Sequence, residues 1–202
     1  MKILVFDTET TGFLNKKNPS LDAQPYIVQF AGILGELENG EYKELERKNI
    51  MIKPPISIPY GASQVHHIYD IDVKDAPVMS QQITEIMDFL AKADAIIGHN
   101  IEYDEDMIKL ELKRLEKLHL YAPDQVICTM KGTVDFCALQ GNGLRFKYPK
   151  LGELYKKLFG EYFVGAHDAM VDVEATQQCF LELEKQGVLG LTNNTKQIMS
   201  LF

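Results

Sequence analysis

Apolar and polar positions along the chain change period several times, and each change marks an expected element. Ile3-Leu4-Val5-Phe6 is a short apolar run that ends at Asp7, which reads as a buried strand. Ile27 to Leu37 and Tyr42 to Ile52 read as two further strands around the turn Glu38-Asn39-Gly40-Glu41. Pro54, Pro55 and Pro59 end the third strand, and a short helical piece is expected over Ser63 to His67. Ile83, Ile86, Met87 and Leu90 recur at helical spacing behind a candidate cap, Ser80, and Ala95 to Gly98 is a short buried strand. Tyr103 to Leu118 is an amphipathic helix with Met107, Ile108, Leu110, Leu112 and Leu115 inward. Gln125 to Cys128 gives the last strand and Thr129 opens a small helix, with further helices over Leu151 to Phe159 and Ala169 to Leu183. Three strands followed by strand and helix alternation predict an α/β fold, a mixed central sheet with three antiparallel-type N-terminal strands and helices on both faces.

Bulk properties narrow the class. The 202 residues, 46% hydrophobic, fit one packed domain. Apolar segments are broken by charge well short of a membrane span, and the first strand reaches Asp7 too soon for a secretory signal; a cytoplasmic protein without membrane partners is expected. Cys128, Cys137 and Cys179 have neither metal-ligand nor disulfide spacing. The net charge of −8 disfavours tight non-specific duplex binding. Basic residues gather at Lys16-Lys17, which sit on an expected mobile loop, at Arg47-Lys48 with Lys53, and at Arg145, Lys147 and Lys150; each group reads as a solvated face unless it borders the acids described next.

Asp7 and Glu9 follow the first apolar run, and strand alternation puts them on one side, so two negative charges meet at the edge of a core. A divalent cation between them resolves that cost. His99-Asn100-Ile101-Glu102-Tyr103-Asp104 follows a buried strand and leads into a helix, which sets Asp104 in a first helical turn; Asn100 and Asp104 are equally candidates for helix capping. In His167-Asp168-Ala169-Met170-Val171-Asp172, positions five apart on a helix diverge by about 140°, so His167 and Asp172 converge only if His167 precedes the helix. Four acids, Asp7, Glu9, Asp104 and Asp172, thus stand at element ends with one histidine nearby. Four carboxylates can hold two divalent ions, and an imidazole can take a proton from an attacking water; this is chemistry for phosphodiester hydrolysis.

Phe6-Asp7-Thr8-Glu9-Thr10-Thr11-Gly12, Gly98-His99-Asn100 with Asp104, and His167-Asp168-Ala169 with Asp172 resemble the three exonuclease motifs of the DEDDh branch of the DnaQ-like 3′–5′ exonucleases, in the ribonuclease H-like superfamily. The resemblance runs to about Leu183 and implies a ribonuclease H-like exonuclease domain over residues 1–187. It implies that Asp7, Glu9, Asp104 and Asp172 bind two Mg²⁺ or Mn²⁺ ions and that His167 is the general base. It sets the backbone around Thr8, Thr10, Thr11 and Gly12 against the terminal nucleotide, with Phe13 as a wedge beside the terminal base and His66 and Asn100 as further substrate contacts. Arg145 and Lys147, in a segment that departs from the family pattern, are candidate phosphate contacts or solvated loop charges.

Residues 188–202 read as a flexible tail. Its end, Gln197 to Phe202, either docks on its own domain or resembles a bacterial sliding-clamp-binding peptide, with Gln197, Leu201 and Phe202 at the anchor positions. The expected substrate is the 3′ end of single-stranded or frayed DNA, in proofreading as a polymerase subunit or in repair. Two alternatives stand beside it: a ribonuclease or oligoribonuclease acting on RNA 3′ ends, and a non-catalytic replication accessory protein.

Overall fold

A computed structural model of the chain describes residues 1–141, 143 and 145–189. The strands are β1 (Lys2–Thr10), β2 (Ile27–Glu38), β3 (Glu41–Met51), β4 (Ala95–Gly98) and β5 (Val126–Cys128), in the order β3-β2-β1-β4-β5. β1, β2 and β3 pair antiparallel, whereas β4 joins β1 and β5 joins β4 in parallel. The helices are α1 (Tyr60–His66), α2 (Asp70–Val73), α3 (Met79–Leu90), α4 (Ile101–Arg114), α5 (Thr129–Gly132), α6 (Val134–Cys137), α7 (Leu151–Phe159) and α8 (Ala169–Lys185). This is the mixed, two-faced sheet expected of a ribonuclease H-like fold.

Strand parity explains the two layers. Leu4 and Phe6 of β1, Phe30 and Leu34 of β2 and Ile96 of β4 pack against Ile83, Ile86 and Phe89 of α3 and Met107 and Ile108 of α4. Ile3, Val5, Ala31, Ile33, Ala95 and Ile97 point the other way, onto Ala169, Val173 and Phe180 of α8. Because helices cover both faces, β2 is buried without interruption from Ile27 to Gly35, which is why it reads as a continuous apolar run. β3 is the edge strand and carries charge outward: Arg47 pairs with Glu44 and Glu174, and Lys48 with Glu46 and Glu85. The Arg47-Lys48 group is therefore an edge-strand feature, and Lys53 donates to the Lys74 carbonyl.

Several element boundaries differ from expectation. α3 begins at Met79 rather than behind Ser80, because the Gln81 side chain at its third position reaches back to accept from the Val78 amide at 3.1 Å. α4 begins at Ile101, two residues early, because Ile101 is drawn fully into the core; it ends at Arg114, since Glu116 has a left-handed backbone with φ 57°. The helix expected over 63–67 spans Tyr60–His66. The loop with Lys16 and Lys17 carries hydrogen bonds from near and far in the sequence. Asn15 Oδ1 accepts from the amides of Lys17 and Asn18, and Arg114 Nη2 donates to the carbonyls of Leu21, Gln24 and Pro25 at 2.9–3.0 Å. Val188 and Leu189, assigned to the tail by sequence, pack beside Leu154 and Cys179, so side-chain packing continues past residue 187. Gln197, Leu201 and Phe202 lie outside the described residues.

Candidate active site

The motif acids converge at the carboxyl ends of β1 and β4, where a parallel pair opens a crevice. Parity again sets their directions. Asp7 and Glu9 share the β1 face of Ile3 and Val5, toward α8, and there they meet Asp172 in the first turn of that helix. A ligand oxygen from each of Asp7, Glu9 and Asp172 lies within 4.8 Å of the others. Thr8 faces the opposite way and reaches Asp104 at the start of α4, donating to Oδ1 from its amide at 3.0 Å and from its hydroxyl at 2.7 Å. Three carboxylates thus gather on one face, and the fourth is held at the strand end by Thr8, with one oxygen already engaged. Just beyond Glu9 the β1–β2 register shifts, with Val28 as the extra residue; a bulge at this point re-aims the strand end beside the cluster.

The electrostatics follow from crowding. Burial, and then the charges of Asp104, Glu9, Asp172 and Asp168, raise the Asp7 carboxyl well above its ordinary pKa. Burial and Asp172 push Glu9 up to about 8. Burial raises Asp104 to about 7 against the pull of the two Thr8 hydrogen bonds, and raises Asp172 to about 6. Among the described residues, no lysine or arginine is one of the groups that lower any of the four. Asp172 Oδ2 accepts from the His167 amide at 3.1 Å, whereas its buried Oδ1 has no hydrogen-bond partner among the described residues. An orphaned carboxylate oxygen among like charges lacks a cation, so the donor set fits a hard divalent ion.

His167 stands just before α8, as convergence with Asp172 requires. Its left-handed backbone, φ 71°, turns the chain into the N-cap Asp168, whose Oδ1 accepts from the amides of Met170 and Val171. Gln29 Oε1 accepts from the Ala169 amide at 3.2 Å and ties this turn to β2. His167 is exposed and lines a cleft of about 640 Å³ together with all four acids.

The other sequence candidates divide. Thr8, Thr10, Thr11, Gly12, Phe13, His66 and Asn100 all border that cleft. The threonine hydroxyls are committed to the protein: Thr8 to Asp104, Thr10 to Tyr103 and the Gly12 carbonyl, and Thr11 as acceptor from the Tyr26 amide. His66 Nδ1 accepts from the Ile68 amide, which assigns the ring proton to Nε2, and Nε2 donates to the Thr10 carbonyl at 3.2 Å; both ring nitrogens brace the loop. Gly12 has φ 151° with open space around its Cα, and Phe13 beside it is 90% exposed, edge-on to Tyr103 at 6.5 Å. Asn100 does not cap α4 through its side chain; it supplies the left-handed residue, φ 71°, that turns β4 into the helix. Arg145 and Lys147 are not among the residues lining the cleft, and Lys147 is ion-paired with Glu153 at 2.6 Å.

Tyr103, His99 and a wall formed by Pro59, Ala62 and Val65 also line the cleft, although no site role for them was legible in the sequence. Tyr103 donates to the Gly12 carbonyl at 2.7 Å, fixing the turn that presents Phe13; its place between Glu102 and Asp104 was the available signal. His99 bridges Thr129 Oγ1 and the Pro149 carbonyl, each at 3.0 Å, and burial lowers its pKa to about 4.

A ribonuclease H-like sheet with clustered carboxylates at its strand ends defines a nuclease domain. Residues 4–180 match the family model RNase_T, described as Exonuclease, and the chain belongs to that exonuclease family. It is 26% identical over 195 residues to a PolC-type DNA polymerase III of Staphylococcus aureus, covering 96% of this chain and 12% of the polymerase, and 25% identical to that of Caldanaerobacter subterraneus, covering 94% and 12%. The chain thus spans about an eighth of the length of these relatives. Among solved structures, E. coli exonuclease I in complex with a dT13 oligonucleotide superposes with a TM-score of 0.70 at 20% identity, covering 92% of this chain and 41% of that one. Exonuclease X in complex with 5′ overhanging duplex DNA gives 0.58 at 21% identity and covers 92% and 93%. Among the described residues no helix is long and apolar enough to cross a membrane.

Proposed function

We propose that this chain is a two-metal-ion 3′–5′ exonuclease that removes nucleoside monophosphates from single-stranded or frayed DNA ends, in proofreading or repair. The observation that carries the reading is the buried Oδ1 of Asp172, unpartnered among the described residues, within the Asp7–Glu9–Asp172 cluster, with Asp104 adjoining and His167 on the same cleft. Asp7, Glu9, Asp104 and Asp172 would hold the ions, Mg²⁺ or Mn²⁺. Bound there, they supply positive charge that activates water and stabilises the leaving oxygen.

His167 takes the proton of the attacking water on its imidazole; water oxygen bonds to phosphorus, the P–O3′ bond breaks with its electron pair on the 3′-oxygen, and that oxygen takes a proton from solvent, so a nucleoside 5′-monophosphate departs and the strand keeps a new 3′-hydroxyl. Thr8 fixes Asp104 in place through two hydrogen bonds to one oxygen, its Oδ1. The Gly12 turn, braced by Tyr103, Thr10 and His66, presents the Phe13 ring at the cleft mouth, where a terminal base can stack without sequence preference. The likeness to PolC-type polymerases supports a replication role, and the structural neighbours solved with DNA support a DNA end as substrate. Incubation of labelled single-stranded DNA with Mg²⁺, beside a chelator control and an Asp172→Asn variant, tests the reading: metal-dependent release of mononucleotides by the wild type alone is expected, and equal cleavage by the variant would overturn it.

A further inference from the structure

The structure places an aromatic and basic surface next to the cleft, and we propose that it is a second binding track, which takes the single strand a few nucleotides away from the end held in the cleft. The inference rests on the nuclease reading above and extends it to how the rest of the strand is held. The connection runs through His99: its ring lines the cleft, and its Nε2 donates to the carbonyl of Pro149, so the segment around Tyr148 and Lys150 is fastened to the cleft wall. Tyr148 is 58% exposed beside that buried proline. From Lys150 the chain enters α7, and Tyr162 folds back over its first turn, so near that a Cβ on Gly152 would lie 3.3 Å from the ring. Tyr162 is also 58% exposed, with Lys156 Nζ 4.5 Å from its ring centroid. Cleft wall, Tyr148, Lys150 and the Tyr162–Lys156 pair therefore follow one another along the surface.

Charge selects the occupant. In a chain of net charge −8, residues 145–157 carry Arg145, Lys147, Lys150, Lys156 and Lys157 against Glu153 alone. Glu153 is taken by Lys147 and by the Lys150 amide, which leaves Lys150 and Lys156 free of ion pairs among the described residues. Exposed aromatic faces alternating with unpaired lysines fit a flexible polyanion with stackable bases, which is single-stranded DNA. A duplex would present no base faces to the tyrosines. The local basic surface also accounts for how an acidic chain keeps hold of a polyanion.

The test uses the full chain carrying Asp7→Asn, so that strands stay intact, with Mg²⁺ present and 5′-fluorescent oligo-dT of 3, 6 and 12 nucleotides read by anisotropy. Affinity is expected to rise at least roughly tenfold from the shortest to the longest strand, and Tyr148→Ala with Tyr162→Ala is expected to remove most of that gain. The Phe pair at the same positions keeps the stacking faces and is expected to restore it. Lys150→Gln with Lys156→Gln is expected to reduce the slope of log affinity against log salt by about 1.4. Affinity that does not depend on length, or a length gain that survives the Ala pair, overturns the track. Hydrolysis of thymidine 5′-(4-nitrophenyl) phosphate, too short to reach the track, is measured in parallel on chains with Asp7 intact. Its absence from the wild type counts against the nuclease reading and leaves the binding series to judge the track, whereas equal rates in wild type and the Ala pair show that the substitutions spare fold and site.

Discussion

Asp7→Asn exchanges one carboxylate for a neutral amide of the same shape, and in metal-free protein it should stabilise the fold while ending metal-dependent function. Each acid of the cluster has a raised pKa, so the folded chain binds protons more tightly than the unfolded one. For such groups stability is greatest below the ordinary carboxylate pKa and is lost as pH rises through the folded value. The window opens near 4 and reaches at least to about 8, where Glu9 gives up its proton, with Asp7 also held well above its ordinary value. At about 1.4 kcal/mol per pKa unit the Glu9 shift is worth on the order of 5 kcal/mol before screening. Solvent in the open cleft and salt reduce this to roughly 1–3 kcal/mol for removing one charge of the set. For a chain of this size that is a rise in Tm of roughly 3–10 °C at pH 8, shrinking toward zero near pH 4 where the wild-type acids are already protonated. Thermal melts by circular dichroism in chelator measure it. Mg²⁺ at a hundred times its Kd should then stabilise the wild type by about 2.7 kcal/mol and the variant far less, narrowing or inverting the order of their melting temperatures. A variant that melts below the wild type in chelator at pH 8, or a gain as large at pH 4, refutes the reasoning.

His167→Ala should lower turnover on labelled DNA by about 10²–10⁴-fold, the usual worth of a general base, while the Mg²⁺-induced rise in Tm is retained because the four carboxylates are intact. His99 is held neutral by burial, with its pKa near 4, so the unfolded chain binds its proton first as pH falls. Stability present above pH 6.5 is lost between there and 4, and His99→Gln should flatten the urea midpoint over that interval. Phe180→Ala, in the fully buried layer between α8 and the sheet, should cost about 3–5 kcal/mol, read by urea denaturation with unchanged m-value.

The sheet and the acids were legible because both depend on strand parity and on where apolar runs stop. Asp7 and Glu9 follow four core residues on an alternating strand, so their shared direction could be read from spacing alone. Asp172 could be joined to His167 only on the condition that the histidine precede the helix, and the left-handed backbone at His167 meets it. What escaped was backbone sign and hydrogen-bond commitment. Asn100 turns the chain by its φ rather than capping with its amide; the hydroxyls of Thr8, Thr10 and Thr11 are consumed inside the protein; and Lys147 is neutralised by Glu153. None of these depends on residue type alone. The Ser80 cap failed for a related reason, since a glutamine one position later could reach the Val78 amide and start the helix earlier. Tyr103 lay in view within a motif, but its work, a hydrogen bond to the Gly12 carbonyl, joins residues 91 positions apart.

The central claim, that the four-carboxylate cleft removes nucleotides from a 3′ end with divalent metal, is tested most directly by following one single-stranded DNA labelled in parallel at its 3′ or its 5′ end. With Mg²⁺ or Mn²⁺ the account predicts that the 3′ label appears at once as mononucleotide while the 5′-labelled strand shortens one nucleotide at a time, both lost in chelator and in Asp172→Asn. Release of the 5′ label as mononucleotide before the strand shortens, cuts within the strand, or undiminished cleavage in chelator would contradict it.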